Sequence, residues 1–96
     1  MLDKMKQLME MKRQADQIKR ELDAERVECE DVQGIKIVMN GAQYMQLIEV
    51  DESLLNPAAK NQFQKDLLRS VNGAIAKSQQ VAAQKMKSMM PGFPGI

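Results

Sequence analysis

The sequence contains no histidine and no tryptophan, and Cys29 is its one cysteine. An internal disulfide, a Cys/His zinc site, a Ser-His-Asp triad and a Cys-His nucleophile pair are thereby excluded. No glycine loop of the P-loop or GxGxxG type is present to cradle a phosphate. Long apolar runs are missing too, so no segment is predicted to span a bilayer. The opening Met1-Leu-Asp-Lys-Met-Lys carries an acid and no apolar stretch behind it, unlike a signal peptide. These absences predict a cytoplasmic protein that is not an enzyme and uses no cofactor, small-molecule substrate or membrane.

What remains is one small domain of 96 residues, 44% apolar and 28% charged. Its formal net charge of +1 hides a split along the chain. Residues 1–26 are nearly balanced, with seven Lys/Arg against six acids. Residues 27–56 set Lys36 against six acids, and residues 57–96 set six bases against Asp66 alone. An excess of cations at one end predicts an anionic partner.

From Met1 to about Arg26 there is no Gly or Pro, and Leu8, Met11, Ala15, Ile18 and Leu22 step by three and four. This is the seam of a helix, two heptads long, which must lean on something else to be stable. Asp3/Lys6, Glu10/Arg13, Lys12/Asp16 and Asp16/Arg20 are spaced to pair along its surface. Near Val27 the period changes to two. Val27-Glu-Cys29-Glu alternates, Gly34 marks a turn, and Ile35, Ile37 and Met39 alternate up to Asn40-Gly41. That dipeptide predicts a two-residue type I′ hairpin placing Met39 opposite Ala42 and Ile37 opposite Tyr44. Val38, Met45 and Leu47 leave the other sheet face partly apolar, so a partner subunit is expected on or beside it.

A second helix is expected from about Pro57 to Met89, with Phe63, Leu67, Val71, Ala74, Ile75, Val81, Ala82, Met86 and Met89 on one face. Gly73 in its middle implies a close neighbour or a bend. Residues 1–90 form the expected domain, and Pro91-Gly-Phe-Pro-Gly-Ile96 a flexible tail. The nine methionines read as packing residues, and Cys29, between two glutamates, as a small buried hydrophobe. Asn72 reads as a packing or helix-contact residue.

The α+β order of helix, three-stranded antiparallel meander and long helix resembles the YbaB/EbfC family of bacterial nucleoid-associated proteins. The similarity is carried by Met5-Lys-Gln-Leu-Met9, the strand closed by Asn40-Gly41, and Ile48-Glu-Val-Asp51-Glu-Ser-Leu-Leu55. Leu67-Leu68, Val71-Asn72-Gly73-Ala74 and the Met-rich end with Pro91-Gly92 complete it. The loop between the first two strands is shorter than the Gly-rich one usual in the family. The resemblance implies a tweezer-like homodimer, sheets at its centre and helices as arms, that binds duplex DNA in the nucleoid.

The candidate DNA-binding residues are Lys65, Arg69, Lys77 and Lys87 on the second helix, with Lys12, Arg13, Lys19 and Arg20 assisting from the first. Tyr44 and Phe63 fall on predicted apolar faces and only Phe93 is left free. Base stacking of the kind single-strand binders use is therefore not expected, and backbone contact with duplex DNA is. The rival reading is a prefoldin-like or adaptor scaffold that binds protein and no nucleic acid. Against it, the first helix is short and its heptads fade.

Overall fold

The computed structural model describes residues 2–89. The tail at 91–96, Phe93 within it, and the domain boundary at residue 90 lie outside the described residues. The chain forms helix α1 (Leu2–Ala24), strands β1 (Val27–Val32), β2 (Ile35–Met39) and β3 (Met45–Val50), and helix α2 (Lys60–Met89). The strands make one antiparallel sheet in the order β1-β2-β3. The expected α+β meander is therefore the observed fold.

Both hairpins are built by specific backbone chemistry. Between β1 and β2, Gly34 takes a φ of +96°, a left-handed conformation that glycine adopts without a Cβ penalty. Its carbonyl accepts from the Asp51 amide at 2.8 Å, which pins the turn to the chain leaving β3.

The second hairpin departs from the expected type I′ turn. Ile37 pairs with Ile48 and Ile35 with Val50, four positions from the register a two-residue loop would set. The loop is longer because the Asn40 side chain organises it. Asn40 Oδ1 accepts from the amides of Ala42 at 3.0 Å and Tyr44 at 2.9 Å, and Gln43 carries the positive φ. Gly41 serves a close approach: its amide donates to the Leu22 carbonyl at 2.8 Å, taking up one of the acceptors that a helix end leaves free. A bulge between Val38 and Met39 completes the adjustment.

The chain between β3 and α2 is not yet α-helical at Pro57. Pro57–Ala59 forms a 3-10 turn, with Asn56 Oδ1 accepting from the Ala58 amide at 3.0 Å. Helix α2 then crosses β1 and β2, burying Cys29, Ile35, Ile37 and Met39 against Ala74, with Phe63, Leu67, Val71 and Ile75 packed around them. The fully buried residues of α2 are small: Ser70, Ala74 and Ser78, one every four positions. Small side chains let the helix axis approach the sheet closely, and the larger apolar residues flank this line half-buried. Ser78 Oγ donates to the Asn40 carbonyl at 2.7 Å, a buried bond worth about 1 kcal/mol. Gly73 has a close neighbour in Asp31, whose Oδ2 occupies the space a Cβ would need. Asn72, expected to pack, is exposed on the outer side.

Two parts of the chain remain uncovered. On α1, Ile18 is buried and Leu22 half-buried, whereas Leu8 and Met11 of the same seam are each 65% exposed. On β3, Met45, Leu47 and Ile48 are exposed across both faces, because α2 covers only the other two strands. Tyr44, expected on a buried face, is 74% exposed beside them.

Candidate nucleic-acid interface

Helices α1 and α2 run antiparallel where they meet. Lys77 and Ser78 of α2 contact Glu28 and Asn40, whereas Lys85, two turns later, contacts Glu21 of α1 and Glu25 just past its end. Lys85 Nζ lies 3.1 Å from Glu21 Oε2 and 3.6 Å from Glu25 Oε2. Its hydrogen bond to Glu21, reinforced by the charge of Glu25, holds the ammonium above its ordinary range. The clasp explains an oddity of the sequence. Glu21 and Glu25 repel one another at the end of α1, and neither has a base three or four positions away in the sequence.

On α1, Arg13 and Arg20 lie opposite the seam and Lys12 and Lys19 on its flank, all exposed, with Asp16 and Asp23 among them. Lys12, Arg13, Asp16 and Arg20 line one shallow hollow with Met9. Of the four expected surface pairs, only Arg13–Glu10 is within reach, at 3.8 Å and largely exposed. Among the described residues Lys12, Lys19 and Arg20 have no ion-pair partner within 4.0 Å.

Helix α2 divides its cations differently. Lys65, Arg69 and Lys87 stand exposed on the face turned away from Ser70, Ala74 and Ser78, and none has an ion-pair partner among the described residues. Asp66, the one acid of this segment, accepts instead from Gln62 Nε2 at 2.9 Å. Lys77 is drawn to the sheet, its Nζ donating to the Glu28 carbonyl at 2.5 Å. Lys87 lies two residues past the clasp, at the same end of the molecule as Lys19 and Arg20. Lys65 and Arg69 are separated from it by about 30 Å of helix. The eight candidates thus form two groups, one along the arm that α1 makes and one over the sheet.

In the acidic middle of the chain Glu28 is paired, and among the described residues the other five acids have no ion-pair partner within 4.0 Å. Arg26 Nε donates to Glu28 at 2.9 Å and Lys36 lies 3.8 Å from the same carboxylate, which holds Glu28 below the ordinary carboxyl range. Burial pushes the Cys29 thiol up, in keeping with a packing role. Among the described residues no cluster of His, Cys, Asp and Glu is placed to hold a metal, and no helix is long and apolar enough to cross a membrane.

The order of elements, the basic outer faces and the exposed third strand coincide with a match along almost the whole chain. The sequence pattern of the YbaB/EbfC DNA-binding family covers residues 1–93. The chain belongs to this family. Among relatives, a nucleoid-associated protein of Chloroflexus aurantiacus is 31% identical over 93 residues, covering 96% of this chain and 93% of its own length. One from Chloroflexus aggregans matches equally. A nucleoid-associated protein of Syntrophobacter fumaroxidans is 31% identical over 64 residues, 65% of this chain and 58% of its own length. As a member of the YbaB/EbfC family, the chain carries its uncommitted cations on helix surfaces and not in a cleft.

Proposed function

We propose that this protein is a nucleoid-associated protein that binds duplex DNA as a homodimer, mainly through phosphate contacts and with little sequence preference. It is a binding protein and not an enzyme. The observation that carries the reading is the outer face of α1, where Lys12, Arg13, Lys19 and Arg20 stand exposed on a helix that extends beyond the sheet. Lysine and arginine at such positions meet phosphates without reading bases. Lys65, Arg69 and Lys87 supply a second set, and Lys77 joins them if its bond to the Glu28 carbonyl is exchanged for a phosphate. Dimerisation is supported by β3, whose apolar residues on both faces need cover that α2 does not provide. A dimer doubles the cationic faces, and weak contacts on two arms act together through effective concentration.

Tyr44 is exposed, so a stacking contact has to be weighed. Its neighbours Gln43 and Met45 are uncharged, and the loop behind it contacts the Asp23 carbonyl. The ring therefore lacks the flanking cation in the sequence with which single-strand binding surfaces pair their aromatics. Beside Met45 and Ile48, Tyr44 belongs with the surface that the second subunit covers.

A salt titration of duplex binding tests the proposal. If about four phosphates are neutralised, log K against log salt should slope near −3.6. Unrelated duplexes of equal length should compete within a few-fold, and single strands poorly. A near-zero slope would overturn the reading in favour of a protein-binding scaffold.

A further inference from the structure

We propose that the uncovered half of the α1 seam, Leu8 and Met11, is a docking site for the C-terminal segment of the same chain, residues 90–96. The seam has one periodicity but two fates. Ile18 is 9% exposed, while Leu8 and Met11 are each 65% exposed. The change comes where α2 runs out. Lys85 is clasped to Glu21, so Met89, one turn further on, lies abreast of about residue 17 or 18 of the antiparallel α1. Met86 and Met89 are half-buried, so the apolar contact between the helices continues to the last described turn.

Beyond that point the seam continues for another ten residues, from Ile18 to Leu8, a rise of about 15 Å. The chain continues as well. Seven residues follow Met89, Met-Pro-Gly-Phe-Pro-Gly-Ile, and spread out they reach about 23 Å. The apolar side chains that this segment's sequence offers to the seam are Met90, Phe93 and Ile96. Lys4, the next seam position after Leu8, marks the far limit of the apolar track.

The alternative occupant, α1 of a second copy, is disfavoured by length. Leu8 to Ala15 is a single heptad, too short for a free-standing helix pair. A segment tethered one turn away starts at a high effective concentration and needs few contacts to dock. Arg13 and Arg20 lie on the opposite face of α1 and Lys12 and Lys19 flank the seam, while the docked segment would cover the apolar stripe itself. The inference therefore does not depend on DNA binding.

The test uses the full chain. In a Phe93→Ser/Ile96→Ser variant, hydrogen exchange followed by mass spectrometry should quicken about tenfold for amides of residues 5–15. Residues 18–24, held by α2 and by Gly41, should be unchanged. Unaltered exchange at residues 5–15 would overturn the proposal. A second measurement places Met11→Cys and Phe93→Cys together in a Cys29→Ala background and applies a short bis-maleimide. The expected product is a link within one chain. No link, or a link joining two chains, would overturn it, the latter by seating a second copy on the seam.

Discussion

The Gly41 amide donates to the Leu22 carbonyl at 2.8 Å, so the tip of the second hairpin closes the end of the first helix. A Cβ at position 41 would sit 3.0 Å from that oxygen and 3.2 Å from Leu22 Cδ2. Relief would require moving helix backbone away from the loop that caps it. Gly41→Ala is expected to cost about 1–3 kcal/mol, measured as a lower urea midpoint at constant m. An unchanged midpoint would mean that the end of α1 yields freely.

Gly73 should behave in the opposite way. The atom in the path of a Cβ there is the carboxylate end of Asp31, an exposed side chain that can rotate aside. Alanine gains about 1 kcal/mol of helix propensity over glycine. Gly73→Ala should therefore be neutral or stabilising, and the full gain should appear when Asp31 is also changed to Ala. Destabilisation in both backgrounds would show that the Cys29 side of the contact, and not the carboxylate, sets the limit.

The Lys85 clasp predicts an alkaline sensitivity. Because Glu21 and Glu25 raise the folded pKa of Lys85, its contribution is complete below the ordinary value of 10.5 and fades as pH rises through the higher folded value. Urea midpoints measured at about pH 8 and about pH 11 should fall further for the wild type than for Lys85→Gln. Equal losses would assign the alkaline effect to other groups.

If β3 is the subunit contact, a charge on it should break the dimer. Sedimentation equilibrium of the wild type at micromolar concentration should give about twice the chain mass of 10.9 kDa. Ile48→Glu should give the single-chain mass with helix content retained. A wild type that stays single would remove the tweezer arrangement, and an Ile48→Glu protein that stays double would move the contact elsewhere.

Charge reversal separates the two basic groups. Lys12→Glu/Arg13→Glu and Lys65→Glu/Arg69→Glu should each weaken duplex binding tenfold or more at every sequence, with circular dichroism unchanged. Lys77→Gln tests the cation that the sheet already holds, and a small effect is expected. Loss confined to the α1 pair would take α2 out of the interface without touching the function.

The first two strands and α2 were legible because local pattern and tertiary burial agree there, and α1 because its periodicity is helical even where its seam is uncovered. Ile35, Ile37 and Met39 alternate in the sequence and are buried on one face in the fold. The outer face of α2 was legible for the same reason, since Lys65, Arg69 and Lys87 lie opposite its apolar positions. The second hairpin was not, because Asn40-Gly41 answers to a partner 19 residues earlier in the chain, Leu22, and not to its own turn. Lys77 looked like its basic neighbours, and only the fold brings it to a carbonyl 49 residues away. The small residues Ser70 and Ser78 carried a signal in their spacing with Ala74, but polarity masked it. Glu21 and Glu25 carried another, two like charges at the end of α1 with no base three or four positions away, which asked for a cation from elsewhere.

The uncovered length of α1 has a hydrodynamic consequence. The chain measures 68 × 22 × 16 Å, and its radius of gyration is 18.6 Å, against about 12.5 Å for a compact domain of this size. Friction with solvent therefore makes even one chain migrate like a heavier globular particle. On a gel-filtration column calibrated with spherical standards, a single chain would elute early enough to pass for a pair. The number of chains in solution has to be read from mass, by sedimentation equilibrium or light scattering, and never from elution volume.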